Sequence, residues 1–283
     1  RVVNMAESNA VLNVPMESTS FQLDEVVVSG GTFSTQHENT IKIDCINNKD
    51  IASTGSPSFI KSLTQIPGVD MIAKGNGVAQ PVIRGLSMTN ILMLNNGIKL
   101  ENFQFSENHP YLIDEFGVDR VEVIKGPASL LYGSDAVGGV INVIKEKPAI
   151  DGKIEGDYNA QYHSNTEGLV TNLGIKSRSG DFFYGLPAGI RSHQDYKHGN
   201  MDRVPNTRYN ENSFKVNLGL NRSFGVFRLF YDYNRPKLGM CVGDAIKDVT
   251  ENGRKNKYWY QDLTNHIIST KNTLFLGKYK FDM

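Results

Sequence analysis

From residue 153 to residue 163, apolar and polar side chains alternate without a break. The even positions are Ile154, Gly156, Tyr158, Ala160 and Tyr162. The odd positions are Lys153, Glu155, Asp157, Asn159, Gln161 and His163. A period of two is that of a strand, whose successive side chains point to opposite faces. The alternation returns at Leu169, Thr171, Leu173 and Ile175, then at Phe182, Tyr184, Leu186, Ala188 and Ile190. It returns again at Phe214, Val216, Leu218 and Leu220, and at Phe227, Leu229, Tyr231 and Tyr233. A sixth, less regular strand is expected over roughly 266–276. One face of each strand is aliphatic, aromatic or small and the other polar, the pattern of a barrel with lipid outside and water inside. The tight turns 179–181 and 223–225 alternate with long polar loops at 194–210 and 235–265, after a first short link at 164–166. Residues 152–283 are therefore expected to form successive antiparallel strands in up-and-down order.

Composition removes other classes. Lys plus Arg number 30 and Asp plus Glu 30, so the formal charge is zero. A non-specific nucleic-acid binder needs a basic excess, and no nucleic-acid partner is expected. The longest strongly apolar run, 91–94, is four residues, against the ~20 of a membrane helix. Cys45 and Cys241 are too few for a disulfide scaffold and lack zinc spacing, and His193 and His198 match no strong metal motif. No Walker motif, dinucleotide fingerprint or Ser/His/Asp constellation is present. We expect no catalytic residue, no metal site and no cofactor, so not an enzyme. Arg1 is not an initiator Met, no signal peptide is visible, and 277–283 reads as a turn opening another strand. Truncation at both ends is the expectation.

Upstream of the strands, residues 33–148 read as one α+β unit. Strands are expected at 40–46, 69–73, 81–84, 119–125 and 140–144. A helix is expected at 57–65, with Ser56 as N-cap, Pro57 at its first position and Pro67-Gly68 ending it. Asn95-Asn96-Gly97 between 91–94 and 98–100 signals a hairpin. Gly126, Gly133, Gly138 and Gly139 permit tight turns and close backbone approach. Further upstream, Asp24-Glu25-Val26-Val27-Val28 precedes Ser29-Gly30-Gly31. Two readings fit this segment: a buried strand, or an extended peptide that adds to another protein's sheet edge.

Taken together these residues resemble the start of a TonB-dependent outer-membrane receptor. The resemblance is carried by Asp24–Val28, by Leu63-Thr64-Gln65-Ile66-Pro67-Gly68-Val69, by Ile83-Arg84-Gly85 and by Leu92-Met93-Leu94-Asn95-Asn96-Gly97. The most specific block runs from Asp119-Arg120-Val121-Glu122-Val123-Ile124-Lys125-Gly126-Pro127 through Leu131-Tyr132-Gly133-Ser134 to Gly138-Gly139-Val140-Ile141-Asn142-Val143. Residues 1–23 also resemble the tail of the small carboxypeptidase-regulatory-like domain of Bacteroidetes-type receptors. The hairpin departs from the family in having Asn96 where an acidic residue is usual. The family barrel has ~22 strands, more than 133 residues after Ile150 can build.

The resemblance implies four regions: 1–23 an upstream tail or linker, 24–32 the TonB box and linker, 33–148 the plug, and 149–283 the first six or so strands of an incomplete barrel. It implies an α+β plug ahead of antiparallel transmembrane strands in the bacterial outer membrane. Asp24, Glu25, Val26, Val27 and Val28 would dock TonB, working with ExbB/ExbD, at the periplasmic side. The function implied is active uptake of a scarce ligand: an iron–siderophore, haem or another metal chelate. In the loop after the hairpin, Phe103, Phe105, Glu107, His109 and Tyr111 suit a flat or chelating ligand, or simply pack the loop. Arg84, Arg120 and Lys125 either pair with inward carboxylates of the barrel wall or are solvated charges. A soluble or surface-exposed β-rich adhesion protein and a glycan-importing receptor are the alternative readings.

Overall fold

In the computed structural model the described residues are 43–100, 106–110, 112–200 and 202–283, with the backbone of 26–29 and 32–35. Strands β1 (Val26–Ser29) and β2 (Thr32–Thr35) form a two-stranded antiparallel hairpin that pairs with no other described strand. Asp24, Glu25, Phe103, Phe105 and Tyr111, the tail 1–23 and the start of the expected 40–46 strand lie outside the described residues.

The α+β unit is built on β3 (Ile43–Asn47). Asn47 caps the short helix α1 (Asn48–Ser53) by accepting the Asp50 N–H at 3.0 Å, a helix not expected from the sequence. Helix α2 spans Phe59–Leu63, starting two residues later and ending two residues earlier than expected. Ser56 Oγ accepts the Ser58 N–H at 3.2 Å, forming a turn before the helix. The Pro57 carbonyl, which would open the helical ladder, instead accepts from the Tyr209 hydroxyl. Strands β4 (Val69–Ala73), β5 (Ala79–Ile83) and β6 (Leu86–Ser87) make a three-stranded antiparallel sheet. Next come β7 (Ile91–Asn95), β8 (Ile98–Leu100), β9 (Val118–Ile124) and β10 (Gly139–Lys145), which join β3 in a five-stranded sheet of order β3-β9-β10-β7-β8. Within it β10 runs parallel to β7.

Every residue of β7 and β10 is buried. Their near-continuous apolar runs suit strands covered on both faces. Ile46, Leu63, Ile83, Met93, Val121 and Ile141 pack one face with α1 and α2, while Leu92, Leu94, Ile124, Val140 and Ala136 pack the other. Asn96 and Gly97 both have positive φ, 55° and 88°, as a two-residue hairpin of this hand requires. Asn tolerates that conformation, so the departure from an acidic residue at this position costs nothing in the turn.

Downstream, β11 (Ile154–His163), β12 (Gly168–Ser179), β13 (Phe182–Gly185), β14 (Ala188–His193), β15 (Tyr209–Arg222) and β16 (Gly225–Gly239) follow in space the order they have in sequence, all antiparallel. Segments β17 (Tyr260–Asp262), β18 (Asn265–Thr270) and β19 (Thr273–Leu276) line up along β16 as one interrupted strand. It begins six residues before the expected sixth strand. The turn at Gly277 leads into β20 (Tyr279–Asp282), paired with β19. Strands β13 and β14 are one strand broken at Leu186-Pro187, since proline has no N–H for the ladder. The face that alternation marks as apolar is the one left exposed: Ile154, Tyr158, Tyr162, Leu173, Ile190, Phe214, Leu229 and Ile268 are all solvent-accessible. That is the reverse of a soluble sheet and the arrangement of a lipid-facing one.

Connections of two residues, at 180–181, 223–224 and 277–278, lie at one end. The longer links 164–167, 194–208 and 240–259 lie at the other. The long loops are shorter than their polar composition implies. Residues 235–239 stay in the ladder, paired with 209–212 and 260–262, so the strands continue past the apolar band.

Candidate functional site: the plug against the inner wall

The polar faces of β11–β19 turn toward the α+β unit, and the two meet through buried charge. Asp114 lies in the 112–117 segment just before β9. Its carboxylate accepts from Lys215 Nζ at 2.7 Å and from Ser213 Oγ at 2.8 Å, both from β15. Lys215 Nζ also donates to the Phe116 carbonyl at 2.6 Å. Beside it, Arg191 of β14 donates from Nη2 to Glu115 at 2.8 Å, and its Nε is 3.0 Å from the Glu211 carboxylate of β15. Its guanidinium lies over the Phe116 ring at 4.9 Å. Phe116 reaches the wall because β14 offers Gly189 there; a Cβ at that position would collide with the ring. Further along, Lys145 of β10 pairs with Asp232 of β16, which also accepts from Asn95 Nδ2 at 2.7 Å.

Burial by itself raises the Asp114 carboxyl pKa. The adjoining Lys215 ammonium, with Arg191 and Ser213, outweighs that and holds it below the ordinary 3.8. A carboxylate whose folded pKa is lowered adds stability above its unfolded value and loses it as pH falls through the folded value. The stability contributed by the Asp114 carboxylate should thus be fully present above about 3.8 and be lost as pH falls below it. Thermal unfolding of the protein across the acid range measures it. An acid unfolding profile below about pH 3.8 that is the same in the parent and in Asp114→Asn would contradict the arrangement.

A second tight approach is made by Gly117, at φ 67°, where a Cβ would run into the ring of Pro187. The backbone disfavours any side chain there, and the proline ring has no rotamer to yield. Gly117→Ala should cost about 1–3 kcal/mol, read as a lower denaturation midpoint. A variant as stable as the parent would show that the contact relaxes freely.

The sequence-based expectation for the wall contacts has the opposite polarity. Arg120 instead donates from Nε and Nη2 to Glu122 at 3.0 and 2.7 Å and pairs with Asp119 at 2.9 Å. Lys125 pairs with Asp44 at 2.6 Å and donates to the Pro67 carbonyl. Arg84 is exposed, with φ 50° and Nη1 3.3 Å from where a Gly126 Cβ would be. These contacts lie inside the α+β unit, because β9 and its flanking loop sit in that unit's own sheet. At the wall the charges are largely reversed: wall cations meet plug carboxylates, with Lys145–Asp232 running the other way. The missed residues have one signal, a charge in the middle of a strand's polar face, as at Arg191, Lys215 and Asp232.

At the long-loop end, Asp195 and Arg208 form a buried ion pair at 2.5 Å. Asp195 also accepts the backbone N–H groups of Thr207 and Arg208 at 2.8 and 2.7 Å. Arg208 reaches across to the Glu251 carbonyl at 2.6 Å, so loops 194–208 and 240–259 are held together. Plug loops come up under them: Gly75 packs on Thr207, and Gln261 Nε2 donates to the Asn108 carbonyl at 2.9 Å. Glu107 pairs with Lys74 at 2.9 Å, and the His109 carbonyl accepts from Gln80 at 2.9 Å. Both residues therefore lie in the plug's loop cluster at this end. Nearby, a cavity of about 570 Å³ opens between Gly55, Lys61 and Asn76 of the plug and His163, Asn165 and Tyr196 of the wall and loops. No group of three or more His, Cys, Asp or Glu suited to a metal occurs among the described residues.

Comparison with known proteins agrees with this geometry. Residues 35–140 match the family described as TonB-dependent Receptor Plug Domain. A Vitamin B12 transporter BtuB of Photobacterium profundum is 32% identical over 123 residues, 43% of this chain and 20% of the relative. A Vitamin B12 transporter BtuB of Vibrio vulnificus is 27% identical over 257 residues, 88% of this chain and 37% of the relative. Among solved structures, the siderophore receptor PirA from Acinetobacter baumannii superposes with a TM-score of 0.66 at 15% identity, covering 85% of this chain and 38% of that one. The Copper transporter OprC superposes at 0.64 with 19% identity, covering 82% and 34%. The chain thus spans about a fifth to two fifths of the length of these relatives, which are named as transporters and receptors, not enzymes. The Bacteroidetes-type resemblance of residues 1–23 finds no support among them, the curated ones being from Photobacterium and Vibrio. Residues 35–140 thus match the TonB-dependent receptor plug family, and the plug-like unit with the antiparallel strands that follow it has the fold of the receptor barrels on which the chain superposes.

Proposed function

We propose that this chain works within an outer-membrane receptor for the active uptake of a scarce metal chelate: a ferric siderophore, haem, or a corrinoid of the kind named for its curated relatives. TonB, energised through ExbB/ExbD, engages Asp24–Val28 from the periplasm, and the ligand enters from the long-loop end. The observation that carries the reading is the seating of the plug on the inner wall by Asp114, Glu115 and Phe116 against Lys215, Arg191 and Gly189. A soluble partner domain has no reason to bury ion pairs against a sheet whose other face is greasy. Expression of the full-length receptor in cells lacking their own cobalamin and siderophore receptors tests it. Energy-dependent accumulation of labelled vitamin B12 or ferric enterobactin is the expected result. Failure of every metal chelate offered, with uptake of an oligosaccharide, would move the protein to the glycan-importing class.

A further inference from the structure

Asn-Gly occurs three times in the chain, at Asn76-Gly77, Asn96-Gly97 and Asn252-Gly253. In such a pair the glycine nitrogen reaches the asparagine side-chain carbon easily, because no Cβ on the glycine stands in the way. The three pairs share that chemistry, and the fold separates them. Asn96 is buried, its N–H donates to the Val143 carbonyl at 2.7 Å, and the Gly97 N–H donates to Asn142 Oδ1 at 3.0 Å. The Gly97 nitrogen turns on Asn96 only if the β7–β8 hairpin opens first. Gly77 is pressed on the inner wall, where a Cβ would lie 2.7 Å from Leu238 and 2.8 Å from Tyr209. Turning its peptide toward Asn76 requires the plug to lift off β15 and β16.

Asn252-Gly253 has neither restraint. It lies in the long loop 240–259, with Asn252 exposed. Among the described residues nothing hydrogen-bonds the Asn252 side-chain amide or accepts the Gly253 N–H. Gly253 has φ 156°, a conformation that L side chains rarely adopt, so the fold itself calls for a glycine beside this asparagine. The flanking backbone is pinned instead. Arg208 donates from Nη2 to the Glu251 carbonyl at 2.6 Å and from Nη1 to the Lys255 carbonyl at 3.2 Å. Asn210 Nδ2 donates to the Arg254 carbonyl at 2.7 Å. One guanidinium thus straddles a turn whose tip, Asn252-Gly253, is left without a hydrogen bond among the described residues.

We propose that Asn252 is a deamidation site of the folded protein, and that its product loosens the joint between the two long loops. The Gly253 nitrogen gives up its proton and bonds to Asn252 Cγ, closing a five-membered imide, and the side-chain nitrogen leaves as ammonia. Water then opens the ring. Opening at the side-chain carbonyl leaves aspartate; opening at the main-chain carbonyl leaves isoaspartate, in which the chain runs through Cβ and Cγ. In sum, an amide and a water become a carboxylate and ammonium. The isoaspartyl link lengthens the main chain between Glu251 and Lys255, the two residues whose carbonyls Arg208 holds. Arg208 is also the partner of Asp195, so stretching this turn reaches loop 194–208. The inference does not depend on which ligand the long-loop end receives.

The test incubates the full-length protein, folded in detergent, at mildly alkaline pH. Peptide mapping with isoaspartyl methyltransferase labelling reads the three sites. In the folded protein Asn252 is expected to convert at least about tenfold faster than Asn76 or Asn96, whereas in denaturant the three rates converge. Hydrogen exchange of residues 194–208 should rise in the aged parent. It should stay at its starting level in aged Asn252→Gln, whose longer side chain does not close a five-membered ring. Conversion of Asn76 or Asn96 at the Asn252 rate overturns the site, and so does an Asn252 rate about tenfold lower in the folded protein than in denaturant. Exchange that rises equally in aged Asn252→Gln, or that does not rise in the aged parent, overturns the loosening of the loops.

Discussion

Replacing Val27 with proline in the full-length receptor is expected to reduce active uptake to background while leaving ligand binding at the long-loop end unchanged. Main-chain hydrogen bonds to a partner's sheet edge give affinity with little demand on side chains. Proline removes one donor and fixes φ. The hairpin β1–β2 places Val27 opposite Ser34 and pairs with neither plug sheet among the described residues. A lone two-stranded hairpin is marginal in water, so β1 can leave β2 or extend it at little cost. Labelled-ligand binding to whole cells, compared with energy-dependent accumulation, separates the two steps. Transport at the unmodified rate by the Val27→Pro receptor would remove the docking assignment. Equal loss of binding and uptake would point to a plug defect instead.

The second large effect is expected at Lys215. Lys215→Met leaves Asp114 buried with the Ser213 hydroxyl as its remaining wall hydrogen bond and the Arg191 charge, itself paired with Glu115 and Glu211, nearby. Stranding one member of a buried pair costs ~3–5 kcal/mol, far more than the pair itself is worth against apolar replacements. Part of that loss should return in the Lys215→Met/Asp114→Asn double variant, because the stranded charge is gone. Chemical denaturation followed by a fluorophore on the plug provides the measurement. A single variant within about 1 kcal/mol of the parent, or a double variant worse than both singles added, would show that this ion pair does not seat the plug. Increased leak of hydrophilic antibiotics through the single variant is the corresponding cellular readout.

Much of this is legible in sequence because it is local. A period of two from Ile154 to Tyr162 fixes which face is apolar whatever the strand pairs with. Asn96-Gly97 specifies its hairpin from two residues, and β4 and β8 begin and end where expected. The helix expected at 57–65 exists but starts two residues later. The Pro57 carbonyl is used by Tyr209, 152 residues away, and nothing near Pro57 announces that. Helix α1 is absent from the sequence-based expectation, although Asn47 three residues before Asp50 is a capping signal.

By itself the sequence determined the up-and-down strands, the apolar outer face, the α+β unit ahead of them and the motif block from Asp119 to Val143. Those depend on alternation, turn chemistry and short-range packing, which neighbouring residues supply. The electrostatics of the interface depend instead on which distant strands the fold packs against one another. Arg120 and Lys125 look like wall contacts because they are charged residues in a motif, yet β9 and its flanking loop commit both to carboxylates of the plug. Asp114, Glu115, Arg191, Lys215 and Asp232 look like ordinary polar positions until the strands curve around the plug and bring them within hydrogen-bonding distance of their partners. A charge is readable in sequence, but its partner is set by which faces the fold brings together, and burial then makes that choice costly to change.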